Sequence, residues 1–397
     1  MPVSSPEFSP SLPATASSLA AVAALSAEDL AAAPPPAASK AADADACRQS
    51  IRCGSLTFHA ASLFLPSDRR DPCYALYAFC RLADDAVDNE TGGPAAKSAA
   101  CQRLRERLDR AYAGQPWPDP VDRAFAGMVR THALPRALPE ALLEGMEWDA
   151  LGRQYDDLSG LRAYAARVAA VVGAMMTVIM GVRDPVVLAR ACDLGVAMQL
   201  TNICRDVGED ARAGRLFLPR DWMVEAGLDP EAWLANPVHS EALASVIARV
   251  LDEAEALYAR ALTGIVGLPV ACRPAIQSAA VLYRAIGHDV ARAGYDSVSR
   301  RAWVPTARKA LLAARAAPAA FVPRPIDPAP PLPETAFLVD AVVAEPLVEA
   351  AEIAACDDLG LPRPSSTPWW RMGVRIAWTL DLFIEMDRRQ QAPHLYA

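Results

Sequence analysis

Two stretches place carboxylates on helices that are otherwise apolar, and they constrain this chain more than any other feature. Residues 80–88 read CRLADDAVD and follow the apolar ALYAF at 75–79. Charged side chains are almost never fully buried unless they are paired or bound to a metal. On a helix, Asp84 and Asp88 lie on one face, about one turn or ~6 Å apart. Going back along that face gives Arg81 and Tyr77. Residues 199–210, QLTNICRDVGED, repeat the arrangement: Gln199, Asn202, Asp206 and Asp210 share a face, Arg205 lies beside them, and GRLFLP follows at 214–219. One such stripe alone is ordinarily a solvated surface. Two that match point to a site.

Four carboxylates facing one another across a cavity cannot all ionise unaided. Divalent hard cations resolve the repulsion. Mg²⁺ takes oxygen ligands, keeps several waters, and is typically held by one or two carboxylates plus substrate phosphates. The pattern therefore predicts a Mg²⁺-bridged diphosphate rather than a metal caged by protein. Mg²⁺ and arginines make a diphosphate a better leaving group. If the diphosphate is allylic, its departure leaves a carbocation, and the wall around it must be apolar and free of nucleophiles. The stretch YAARVAAVVGAMMTVIMG, beginning at residue 164, fits that need. Its small residues suit either a slot for a long prenyl chain or a closely packed core helix.

Composition narrows the class. Abundant alanine and few β-branched runs favour helices. Of the 397 residues 53% are hydrophobic, enough for a sizeable core. A net charge of −8 argues against a nucleic-acid partner. The nine cysteines form no CxxC, so neither a disulfide framework nor a zinc site is indicated, and buried thiols in a reducing compartment are expected. The most apolar run, at 168–182, is short for a bilayer span of ~18–20 residues. No signal-peptide pattern opens the chain. These features indicate a soluble, cytoplasmic protein with room for peripheral membrane contact. Residues 1–45, rich in Ala, Pro and Ser, are expected to be a disordered tail. A helical catalytic domain should span 46–316, with breaks at 116–120, 227–230 and 266–270. A proline-rich linker should cover 317–335 and a helical extension 336–397. In that extension WWRMGVRIAWTLDLFIEMDRRQQ reads as an amphipathic helix, docked on the core or lying on a membrane surface or a partner.

With these residues in view, GSLTFHAASLFLP (54–66), YAFCRLADDAVD (77–88), QLTNICRDVGEDARAGRLFLP (199–219) and LYRAIGHDVARAGYDSVSRRAWV (282–304) resemble, in the same order, the squalene/phytoene synthase family. The likeness spans roughly 47–310 and is nearest to the phytoene-forming bacterial members. It implies an all-α isoprenoid-synthase fold around a central cavity. It also implies a prenyltransferase that condenses two geranylgeranyl diphosphates head to head, through prephytoene diphosphate, to phytoene. That is the first committed step of carotenoid biosynthesis. Mg²⁺, replaceable by Mn²⁺, would be required, and NADPH would not. The resemblance assigns the metal to Asp84, Asp88, Asp206 and Asp210, with Asp85 a weaker candidate. It assigns the diphosphates to Ser55, Tyr77, Arg81, Gln199, Asn202, Tyr283 and Arg300, with Arg205 and Arg215 as further cations. Tyr164 is implied to lie near the reacting carbons, assisting proton or diphosphate transfer. Contacts with other carotenoid-pathway enzymes and a loose membrane association are further implications. The chain departs from the family at YAARVAAVVG, where Arg167 and Ala170 stand for other residues; Arg167 is expected to point to solvent rather than add a cation to the site. Two other readings remain: a squalene or dehydrosqualene synthase using farnesyl diphosphate, and a family member without catalysis.

Overall fold

Asp-Pro pairs start several helices. Asp119, Asp184 and Asp229 each cap a helix whose first residue is proline, their carboxylates accepting backbone N–H groups of the first turn. The computed structural model describes residues 38–90 and 92–344. Every regular element among them is helical: α1 (Ala38–Gly54), α2 (Leu56–Ser62), α3 (Ser67–Asp88), α4 (Gly93–Tyr112), α5 (Pro120–His132), α6 (Ala137–Ala150), α7 (Leu158–Ile179), α8 (Pro185–Arg212), α9 (Arg220–Glu225), α10 (Pro230–Ala235), α11 (Glu241–Gly264), α12 (Arg273–Arg292), α13 (Thr306–Ala319) and α14 (Ala336–Ala344). The breaks expected near 116–120, 227–230 and 266–270 separate helices. Six of the described cysteines are buried and serve as small core residues.

Helix α8 runs through the middle, packed on α11 and α12 along one side and on α7 along another. Helix α3 packs on α1, α5 and α6, and it is not closely packed on α8. The two aspartate-bearing helices are thus linked through α6 and α7 rather than by direct packing. The small residues of α7 serve close packing on one face: a Cβ on Gly195 of α8 would lie 2.4 Å from the Ala170 Cα. Ala165, Ala166, Ala170 and Ala174 are fully buried, whereas Val168, Val172 and Met176, one turn apart, stay partly exposed. Both readings of this stretch are therefore realised, on different faces. Between Ala166 and Ala170 the helix widens into a π turn. By length and hydropathy α7 and α8 could each cross a bilayer, which the apolar run at 168–182 alone did not suggest; more than half of each is buried within the bundle.

The expected domain limits need correction at both ends. Helix α1 begins inside the segment read as a disordered tail, and its Asp43 is buried against Arg123 of α5 at 2.5 Å. The supposed linker begins inside α13, which extends through Pro318, and its remainder is a strap docked on the core. Arg190, 1% exposed, donates to the carbonyls of Asp327 (2.7 Å) and Ala329 (3.0 Å), and Arg260 donates to that of Pro330 (3.0 Å). Asp193, fully buried, pairs with Arg190 at 2.8 Å and Arg260 at 3.2 Å. An extended segment without its own hydrogen-bond ladder needs such donors for its carbonyls. Removing one member of a buried ion network leaves the other charge uncompensated. Asp193→Ala is accordingly expected to lower stability by about 3–5 kcal/mol in urea or thermal unfolding. A loss below about 1 kcal/mol would show that the network does not hold the strap. The amphipathic stretch near 369–390 lies outside the described residues.

Candidate active site

The stripe on α3 forms as expected, with Tyr77, Arg81, Asp84 and Asp88 on one side of the helix. Arg81 spans Asp85 (Nη2, 2.7 Å) and Asp84 (Nη1, 3.4 Å), so Asp85 serves as the partner of Arg81. Gly54 ends α1 because Tyr77 is there: a Cβ would sit 2.4 Å from the Tyr77 hydroxyl. Ser55 caps α2, its Oγ accepting from the Phe58 N–H at 3.3 Å.

On α8, Gln199, Asn202, Asp206 and Asp210 share the partly exposed face. Gly214, at φ 73°, turns the chain after α8 in a conformation that favours glycine. The turn brings Arg215 back onto its own helix: its N–H donates to the Asp210 carbonyl at 2.8 Å and its guanidinium lies 3.4 Å from the Asp210 carboxylate.

The charges divide into two groups. The acid-rich group centres on Arg215, whose positive charge acts on Asp84, Asp149 and Asp210 together. Burial, with Asp88 adding, raises the Asp84 carboxyl above its ordinary range. Burial pushes Asp210 up to about 6, Arg215 opposing and Asp206, Asp149 and Glu209 adding. Asp149, at the end of α6, is likewise raised to about 6, chiefly by burial. It accepts a 2.7 Å hydrogen bond from the Tyr164 hydroxyl. Tyr164 is buried in a triangle of rings, stacked on Phe217 at 5.3 Å and tilted against Tyr155 at 5.2 Å. Burial and Asp149 hold its proton on the phenol well above the usual range.

The base-rich group surrounds Asp206, which is paired with Arg205 and lies 2.8 Å from the Arg301 Nε. Burial alone would raise this carboxyl, but the two arginines outweigh it and hold Asp206 below the usual range. Arg205 acts in turn on Tyr283, which stacks on Phe58 at 5.2 Å, and on Lys309 of α13. Burial and Arg205 together lower Lys309.

Several expectations change in detail. Arg300 turns to Asp289 at 3.0 Å, and Arg301 is the arginine that reaches Asp206. Both lie in a non-helical stretch, where periodicity does not say which neighbour points inward. Arg167 goes neither to solvent nor to the α3 and α8 aspartates. It pairs with Glu144 (3.0 Å) and lies over the rings of Trp148 (4.2 Å) and Phe337 (5.1 Å). Asp149 and Lys309 carried no signal in the sequence, since the groups they meet, Tyr164 and Arg205, lie on other helices.

The donor set suits a hard divalent cation. It offers two carboxylate pairs and the Asn202 Oδ1, a buried oxygen with no hydrogen-bond partner. Among the described residues no three His, Cys, Asp or Glu side chains converge as a ready-made metal site.

Residues 51–309 match the sequence profile of squalene/phytoene synthase. The chain belongs to the squalene/phytoene synthase family. Relatives in this family include the phytoene synthase of Rhodobacter capsulatus, 53% identical over 81% of this chain and 98% of that protein. The phytoene synthase of Cereibacter sphaeroides is 56% identical over 76% of this chain and 88% of its own. Among solved structures, a dehydrosqualene synthase bound to a ligand superposes with a TM-score of 0.62 at 29% identity, covering 70% of this chain and 96% of that one. A squalene synthase from Alicyclobacillus acidocaldarius gives 0.60 at 28%, covering 64% and 95%. The fold is the all-α isoprenoid-synthase fold of this family of prenyltransferases.

The raised carboxyls carry a pH signature. Between about pH 4 and 6 the folded state binds protons at Asp149 and Asp210 that the unfolded chain, with ordinary aspartates, has released. Stability of the metal-free protein should therefore fall as pH rises through that window, with the full cost present above about pH 6. Asp210→Asn removes its share, at most ~3 kcal/mol, so its melting temperature at pH 7 should exceed that of the wild type and vary less from pH 4 to 7. An Asp210→Asn profile parallel to the wild type would show that this carboxyl is not strained.

Proposed function

We propose that this protein is a phytoene synthase, joining two geranylgeranyl diphosphates head to head to give phytoene and two diphosphates. The observation that supports the reading is that Asp84 of α3 and Asp210 of α8 both lie under the charge of Arg215, in a chain more than half identical to two phytoene synthases. Asp84 and Asp88 on α3, and Asp206 and Asp210 on α8, would hold Mg²⁺, with Mn²⁺ able to replace it. The metal, when bound, would neutralise diphosphate charge and so assist its departure.

The chain's own residues supply the rest. Arg81, Arg205, Arg215 and Arg301, with Lys309, would bind phosphate oxygens, and Ser55, Tyr77, Gln199, Asn202 and Tyr283 would orient the diphosphates. Val168, Val172 and Met176 present an apolar surface without nucleophiles beside the prenyl chains. Tyr164, its hydroxyl held by Asp149, would hydrogen-bond to departing diphosphate or guide a leaving proton, while Asp149 accepts from the phenol. Two diphosphates and two protons leave in total, so the C40 product forms without a hydride donor. This balance separates the reaction from squalene formation, which consumes NADPH. A long lipid substrate and product suit a cytoplasmic protein in loose, peripheral contact with a membrane.

The test is product identification. Purified protein, geranylgeranyl diphosphate and Mg²⁺, without NADPH, should yield phytoene by chromatography and mass. A C30 hydrocarbon from farnesyl diphosphate, with none from geranylgeranyl diphosphate, would keep the site and overturn the substrate.

A further inference from the structure

The strap and α14 lie beyond residues 51–309, the span of the family profile, yet they grip the helix that carries Tyr164 on both sides of it. Five residues before Tyr164, Ser159 donates to Glu334 at 2.7 Å. Three residues after it, Arg167 lies over the Phe337 ring of α14 at 5.1 Å. The same guanidinium lies over Trp148 at 4.2 Å and pairs with Glu144, both on α6. Trp148 immediately precedes Asp149, the acceptor of the Tyr164 hydroxyl. Gly145 lets the two helices meet closely, since a Cβ there would lie 2.9 Å from the Arg167 Cβ. Arg190 and Arg260 anchor the other end of the strap to α8 and α11.

We infer that residues 320–344 form a brace that sets the register of α7 against α6, with Arg167 and Phe337 as positioning residues for the Tyr164–Asp149 pair. The inference rests on the catalytic reading above only for its effect on turnover. The physical reason lies in the π turn at Ala166–Ala170. A π turn is a rare interruption of the α-helical hydrogen-bond pattern, frequent at functional sites, so its place in the helix depends on what packs against it. A guanidinium held between two aromatic faces fixes both the distance and the angle between their helices. The chain thereby joins an element beyond the span of the family profile to the Tyr164–Asp149 hydrogen bond.

Phe337 is 37% exposed, so exchanging it should disturb packing little. Phe337→Leu keeps apolar volume and removes the aromatic face, and Phe337→Trp keeps the face. The first measurement is hydrogen–deuterium exchange of the peptide covering residues 158–170 in the full-length protein. Exchange should quicken in Phe337→Leu and return to the wild-type rate in Phe337→Trp. The second is turnover of geranylgeranyl diphosphate. Phe337→Leu should lower kcat about tenfold, with KM within about twofold and the melting temperature unchanged, and Phe337→Trp should restore kcat. Unchanged exchange in Phe337→Leu, or a loss of kcat that Phe337→Trp does not restore, would overturn the brace. A wild-type protein making no C40 product would defeat the catalytic reading, and the exchange data would still decide the brace.

Discussion

Replacing Asp84 or Asp206 with alanine is expected to lower phytoene formation by roughly a thousandfold or more, and the two variants should differ in stability. The Asp84 carboxyl is raised by burial and by Asp88, so the fold holds this charge at a cost. Its removal should leave the melting temperature unchanged or higher. Asp206 is the acceptor for both Arg205 and Arg301. Alanine there leaves Arg205 without its carboxylate and Arg301 with Glu209 alone, beside Lys309, and should lower stability by about 1–3 kcal/mol. Circular dichroism melts and single-turnover product assays on the same preparations would check both statements. A folded Asp84→Ala protein with near-normal rate would remove this carboxylate from the chemistry. Equal stability losses in the two variants would contradict the division into acid-rich and base-rich groups.

The second large effect concerns the cation. Excess EDTA should stop turnover completely, and Mg²⁺ or Mn²⁺ should restore it. Binding should also be cooperative with diphosphate, because the carboxylates come as pairs and no ready-made three-ligand site exists among the described residues. In a thermal-shift experiment Mg²⁺ alone should raise the melting temperature little, and Mg²⁺ with inorganic diphosphate should raise it substantially more. A ligand that binds only the folded state stabilises by about 2.7 kcal/mol at a hundred times its dissociation constant. Activity surviving EDTA, or a full shift with Mg²⁺ alone, would show that the metal is not bridged by the diphosphate.

The sequence by itself determined the helices, the two polar stripes and the chemistry they imply. Helical periodicity fixes which residues of one helix are neighbours, so Tyr77, Arg81, Asp84 and Asp88, and likewise Gln199, Asn202, Asp206 and Asp210, could be grouped before any helix was placed. The tertiary structure decided what periodicity cannot encode. It chose Arg301 over Arg300, because side-chain direction in a non-helical stretch follows from packing. It brought Asp149 under Tyr164 and Lys309 beside Arg205, single charges whose partners lie on other helices. It turned Arg167 onto Trp148 and Phe337, aromatic partners that lie on other helices. It converted a proline-rich stretch that reads as a linker into a strap, because buried Arg190 and partly exposed Arg260 supply the donors that its carbonyls lack. Local spacing is written along the chain, whereas partners distant in sequence exist only once the helices pack.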